Sequence, residues 1–194
     1  MVKRKLPLPD LSGVAQTTKK PAQNDLRVYS GSIYFRCHAI LDGFDSDVWT
    51  PIRESEQHIS ISRPLRLRLH HIRPILDRLR FVVHQFHMIT VELGPNVEVF
   101  LNPEESKAFL GVLCCENEAL LSLIQEIDRI LVDYRQDCFF EHPQPHVSVA
   151  WSESTTGLDP NHKYMASVQR VCLNTLTFKI GNRIYEIPLE EEKL

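Results

Sequence analysis

Long apolar runs are missing from this sequence. Nothing approaches the ~20 consecutive apolar residues of a membrane-spanning helix, and the first residues carry no apolar signal-peptide core. Neither a helical membrane protein nor a leader is expected. Cysteine is sparse and odd in number: Cys37, Cys114, Cys115, Cys138 and Cys172 show no metal-type spacing. Such a set points to unpaired thiols in a reducing compartment. Charge of one sign is not in excess, with a formal net charge of −3. That argues against a protein that coats long nucleic acids by bulk electrostatics, but leaves room for a small site that grips one strand end. What remains is 194 residues, 43% hydrophobic and 24% charged, the make-up of one ordinary domain or two small lobes sharing a core.

Residues 1–25 are rich in Lys, Pro, Thr and Gln without periodicity and read as a disordered basic tail. Within it, Lys3-Arg4-Lys5 reads either as a nuclear-import patch or as a solubilising terminus. The ordered domain is expected over 26–194. Residues 28–40 suggest a strand, and 41–56 carry no clear pattern. Ile72, Ile75, Leu76, Leu79, Val82, Val83 and Phe86 fall at helical spacing, with Pro74 placed in the first turn. Residues 88–93 and 97–101 read as two strands joined by a turn at Gly94-Pro95-Asn96, and 108–114 as a third. Leu120, Leu123, Ile124, Ile127, Leu131 and Tyr134 mark a second amphipathic helix. A polar loop through Pro160, a short helix and two strands around Gly181-Asn182 close the chain. The expected architecture is α+β: two pseudo-symmetric lobes of antiparallel strands with flanking helices, and a central cleft.

Two stretches carry the chemistry. QHISIS at residues 57–62 and PHVSVA at 145–150 each place a histidine and a serine two residues apart. In a strand these side chains share one face while the apolar residues between them share the other. Composition alone predicts roughly 0.6 His-x-Ser triplets, and roughly 0.1 once apolar middle and following residues are also required. The plain reading is two strand faces exposed to water. The chemical reading is a phosphodiester site. Cutting RNA at its own 2′-hydroxyl needs one base and one acid, and two imidazoles titrating near neutrality supply both. Serine hydroxyls such as Ser60 and Ser148 then stabilise the charge on the nonbridging oxygens.

With its surroundings, the twin motif resembles the U6 small nuclear RNA phosphodiesterases of the two-histidine phosphoesterase superfamily. The similarity runs from Ser55 to Leu189. It takes in His70-His71-Ile72, Asn96-Val97-Glu98-Val99-Phe100, Phe109-Leu110-Gly111, Glu126-Ile127-Asp128-Arg129, FFEHPQPHVSVAW at 139–151, Gly181-Asn182 and Pro188-Leu189. The resemblance implies a nuclear, monomeric 3′–5′ exoribonuclease that trims terminal uridines from U6 RNA. It leaves a 2′,3′-cyclic phosphate, or a 3′-phosphate, with no cofactor and no metal. It implies His58 and His146 as the catalytic pair and Ser60 and Ser148 as phosphate donors; His58 is assigned as base and His146 as acid, an order the sequence does not fix. Phe140 would stack on the terminal base where relatives carry a tyrosine, and His142 and Gln144 would line the nucleotide pocket. The family has a sizeable helix before the first motif that residues 41–53 do not repeat, so an abbreviated first lobe is expected. Two other readings remain: a cyclic phosphodiesterase or 2′-5′ RNA ligase relative, and an inactive isoform that binds RNA ends.

Other features weigh less. His84-x-x-His87 and His70-His71 read as helix-surface histidines, because no further ligands complete a zinc set. Arg63, Arg66, Arg68, Arg73, Arg78 and Arg80 form a basic run, read either as a solvated helix face or as a guide for RNA. Trp151 is expected in the core.

Overall fold

The computed structural model describes residues 27–41, 43, 47–102, 104–155 and 164–191. The expected tail and its Lys3-Arg4-Lys5 patch lie outside them. Ten strands form one curled, antiparallel sheet: β1 Val28–Arg36, β2 Thr50–Pro51, β3 His58–Ser60, β4 Leu65–Arg68, β5 Ile89–Leu101, β6 Ala108–Cys114, β7 His146–Ser152, β8 Gln169–Leu173, β9 Thr175–Ile180 and β10 Arg183–Pro188. The order is β10-β9-β1-β3-β7-β6-β5-β8, with β2 on β7 and β4 on β1. Both His-x-Ser strands therefore lie side by side in the middle. The expected α+β architecture is the one observed.

Two fifteen-residue helices, α1 Leu69–Val83 and α2 Glu118–Val132, pack on one another and cover the apolar face. In α1 the stripe Ile72, Ile75, Leu76, Leu79 and Val83 is buried. The helix begins earlier than the apolar spacing suggests, so Pro74 stands inside it rather than in its first turn. Lacking an N–H, it leaves the His70 carbonyl without its helical donor. In α2 the Asn117 side chain accepts from the Leu120 N–H at 2.9 Å, a capping bond for donors that begin the helix. The helix ends through Arg135, whose φ of 58° is left-handed, with the Gln136 N–H reaching back to Leu131 O at 3.1 Å.

Several expectations need correction. Gly94-Pro95-Asn96 is a bend inside one long strand, not a hairpin turn: β8 pairs with Ile89 to Leu93, and β6 with Val97 to Leu101. Gly94, at φ 81°, supplies the bend. Arg66 and Arg68 lie on β4, a strand where a helix face was expected, because Leu65 and Leu67 alternate with them and are buried. The short helix expected after Pro160 falls partly outside the described residues, and 164–168 is not helical. Its neighbour β8 is a strand the sequence pattern missed. Before the first motif, no α-helix occurs among the described residues. Trp49, 1% exposed, fills the interior there, tied by its indole N–H to Tyr164 Oη at 2.9 Å.

Candidate active site

Ile59 pairs with Val147 across antiparallel β3 and β7. This register sets His58 opposite Ser148 and Ser60 opposite His146. The four polar residues share one half-buried face, while Ile59 and Val147 are fully buried on the other. Directly opposed side chains have Cβ atoms roughly 4.5–5.5 Å apart, closer than the two members of one motif along their own strand. Each histidine thus stands directly across from the other motif's serine, and His58 has Arg36 opposite it on β1 as well. Ser62 does not extend the row: β3 has ended, and Ser62 is buried with its hydroxyl accepting from the Ile33 N–H at 3.0 Å.

Both imidazoles are oriented alike. His58 Nδ1 lies 2.8 Å from Glu56 O, and His146 Nδ1 lies 2.8 Å from Gln144 O, two residues back in each case. A carbonyl only accepts, so both Nδ1 atoms carry the proton and both Nε2 atoms are left for chemistry. The supports are local. A 3-10 turn at Glu54–Glu56 precedes His58. Gln57 is buried and bridges backbone on both sides, accepting from the Ala39 N–H at 2.9 Å and donating to Ile52 O at 3.1 Å. Before His146, Pro143 and Pro145 restrict the chain, and Pro145 O accepts from the Cys114 N–H at 2.8 Å.

Each ring is also held by an aromatic. Tyr34 lies 4.8 Å from the His58 ring, tilted at 52°. Phe100 stacks on His146 at 3.8 Å and 8°. That stack passes over Gly111, where a Cβ would stand 2.6 Å from the Phe100 ring and 2.8 Å from His146 Cδ2. Only glycine leaves room for it. Burial holds the His146 pKa below the usual imidazole value. The Gln144 carbonyl opposes that shift, the nearby His58 adds to it, and Glu98 opposes it. At neutral pH this imidazole is therefore mostly uncharged.

Two depressions open on the same face, about 290 and 520 Å³, and His58 and Lys179 line both. Lys179 stands opposite Ser32 in the β1–β9 ladder, a neighbour that no local spacing announces. Phe140 is 53% exposed on a loop pinned from two sides. The Phe139 N–H donates to Asp128 Oδ1 at 2.9 Å, and Arg63 Nε donates to Phe139 O at 2.5 Å. The Arg63 guanidinium lies 4.5 Å above the Phe140 ring and occupies one of its faces. Burial pushes the Asp128 carboxyl upward, against the Phe139 N–H and Arg63, which pull it down. His142 and the Gln144 side chain are exposed on the same loop. Trp151 departs from expectation: it is only partly buried, with Lys107 Nζ 4.6 Å from its ring, because a register shift opposite Leu110 and Gly111 inverts the alternation of β7 and turns Ala150 and Ser152 inward instead. His84 caps the end of α1, 3.3 Å from Glu190. Among the described residues, no cluster of three or more His, Cys, Asp or Glu side chains could hold a metal ion.

A family model described as "HVSL: uncharacterised conserved protein" matches residues 23–188. U6 snRNA phosphodiesterase 1 of Xenopus laevis is 34% identical over 149 residues, which cover 70% of this chain and 59% of that protein. The human protein of that name is 25% identical over 153 residues, 72% of this chain and 57% of its own length. The chain thus spans somewhat more than half the length of these relatives. Among solved structures, Kluyveromyces marxianus Usb1 superimposes with a TM-score of 0.58 at 13% identity, covering 82% of this chain and 98% of that one. E. coli LigT, solved with 3′-AMP, gives 0.55 at 11% identity, covering 84% and 97%. With a family model spanning nearly all the described residues, the chain belongs to the HVSL family, and it shares its fold with Kluyveromyces marxianus Usb1 and E. coli LigT.

Proposed function

We propose that this protein is a 3′–5′ exoribonuclease that trims the 3′-terminal uridines of U6 snRNA in the nucleus, acting as a monomer and without a metal. The observation that carries the reading is the Ile59–Val147 register. It gathers two imidazoles with free Nε2 atoms and two hydroxyls on one face, as an in-line displacement at phosphorus requires. The names of the relatives, and the structure of Kluyveromyces marxianus Usb1 with uridine monophosphate, support the substrate class.

In this reading the roles of the two histidines are the reverse of the order assigned from the sequence. His146, held neutral by burial, takes the proton from the 2′-hydroxyl of the penultimate nucleotide. The 2′-oxygen attacks phosphorus and the P–O5′ bond breaks. His58 enters the step as the imidazolium, its Nδ1 proton held on Glu56 O, and gives its Nε2 proton to the departing O5′, so the last nucleoside leaves with a 5′-hydroxyl. Ser60 and Ser148 donate to the nonbridging oxygens throughout. The RNA is left with a 2′,3′-cyclic phosphate, which water opens to a 3′-phosphate when the two histidines exchange roles. The free face of Phe140 stacks on the terminal base, with His142 and Gln144 beside it.

Incubation with 3′-oligouridylated RNA in EDTA tests the proposal. Stepwise shortening is expected. Opening of a cyclic phosphate without shortening would instead mark a cyclic phosphodiesterase, and retention without cleavage a binding module.

A further inference from the structure

The basic run after the first motif separates in the fold. On α1, Arg73 and Arg80 pair with Asp77, and Arg78 pairs with Asp133 at 2.6 Å. Arg63 is engaged with Phe139 and Phe140. Arg66 and Arg68 are different. They project from β4, exposed, and among the described residues neither guanidinium pairs with a carboxylate. The same holds for Arg135 at the end of α2. These three arginines line the largest cavity described, about 740 Å³, whose wall also holds His71 and Tyr134. His71 Nδ1 is buried there without a hydrogen-bond partner. Asp133 lies in the wall too, already neutralised by Arg78. The first turn of α1 has no acidic residue and no side-chain cap, so the positive end of that helix adds to the field.

The cavity opens at the edge of the sheet, between β4 and the helix ends, and Arg66 and Arg68 project into it from the face that carries the histidines. Ser60 pairs with Tyr34 on β1, Arg66 with Ser30 and Arg68 with Val28. With alternating side chains, Tyr34, Ser32, Ser30 and Val28 form one continuous row. The 520 Å³ depression, lined by Ser30, Ser32, His58, Ser60 and Lys179, fills the interval. Four residues at about 3.3 Å each place Arg66 roughly 13 Å from Ser60, a span of a few nucleotides. Unpaired guanidinium groups forming a fork of donors suit phosphodiester oxygens.

We infer that the Arg66, Arg68 and Arg135 cavity is a second anion site that holds the backbone phosphates of the RNA body, upstream of the bond being cut. The serine row and Lys179 carry the strand between the two sites. The inference rests on the proposed action on RNA 3′ ends and extends it from an end-gripping site to a strand track.

Binding and cleavage separate the two ideas. The full chain and its Arg66→Gln/Arg68→Gln and Arg135→Gln variants are titrated by fluorescence anisotropy with a 5′-labelled twelve-nucleotide RNA ending in uridines, made resistant by a 2′-deoxy sugar at the penultimate position. Cleavage of UpU and of the unmodified RNA is followed in parallel. The double variant is expected to bind the long RNA about tenfold more weakly at ~0.1 M salt. The slope of log affinity against log salt should also become shallower by about 0.7 for each phosphate no longer neutralised. UpU cleavage should be unchanged. Unaltered affinity and slope would overturn the site, and so would equal losses on the long RNA and on UpU. Weaker binding of inorganic phosphate by the variants, with RNA affinity intact, would make the cavity a small-anion site and overturn the track. If the parent chain cuts neither RNA while the variants still lose affinity for the long one, the nuclease reading fails and the strand site stands.

Discussion

Four side chains on one face carry the proposed chemistry, and the two histidines among them act on a single phosphate. Residues that work as a unit do not add. His58→Ala and His146→Ala should each abolish nearly all trimming, and the double variant should be little worse, as measured by single-turnover cleavage. Near-normal trimming by either single variant would sink the two-histidine mechanism. The pH profile adds a sign. A base acts when neutral, and the His146 pKa is depressed below the ordinary ~6.5. The acid limb of kcat/KM should therefore lie below that value. Glu98 works against the depression, so Glu98→Gln should move the limb to still lower pH. A limb that does not move would place the titrating base elsewhere. For Phe140, base–aromatic stacking is worth ~1–3 kcal/mol by alanine substitution, and each ~1.4 kcal/mol is tenfold. Phe140→Ala should weaken RNA-end binding by roughly ten- to a hundredfold while Phe140→Tyr is tolerated. Unchanged binding by the alanine variant would leave the exposed ring idle.

At the scale of elements, the site depends on three strands approaching closely at Gly111. Phe100 from β5 crosses β6 to lie flat on His146 of β7, over the position a Cβ would occupy. Gly111→Ala overpacks this point, which typically costs ~1–3 kcal/mol, and turns the His146 ring from its hydrogen bond to Gln144. A lowered Tm together with a lower kcat is expected. In a Phe100→Ala background the same substitution should do far less harm, a coupling that a double-mutant cycle reads directly. Additive losses would show that the two side chains do not compete for one space. Gln57 is a second such point. With Gln57→Ala the Ala39 N–H loses its only described partner, and a buried unsatisfied donor costs ~1–3 kcal/mol. Denaturant titration should show a loss of that size.

Taken whole, the molecule closes differently from a chain of two lobes laid end to end. The last two strands, β9 and β10, return to the first-motif side, where β9 pairs with β1 over Gly31 to Phe35. From the sequence, residues 28–65 read as the weakly covered part of the domain. In the fold β1 is an interior strand with neighbours on both edges, and Ile33 and Phe35 are buried. Hydrogen exchange should therefore find the amides of Ile33 and Phe35 protected as well as that of Val147. Exchange of β1 much faster than β7 would mean that the return of β9 is only loosely held.

The sequence by itself determined the two motif strands, both helices and the residue types on the motif strands' polar face. Alternation around Ile59 and Val147 declared two half-buried strands, each with a histidine and a serine on its polar side, and the 3.6-residue stripes of α1 and α2 declared two helices. These are local signals, written within a few residues by the period of the backbone. Tertiary structure decided which groups meet. That Ser148 rather than Ser60 is the closer neighbour of His58, that Phe100 and Gly111 seat His146, that Lys179 borders the site, and that Arg66 and Arg68 stand unpaired while Arg73, Arg78 and Arg80 do not, all follow from strand register and helix docking. Such pairings join residues far apart in the chain, and no local period encodes them. They are set by which apolar faces bury one another most completely, a property of the folded whole.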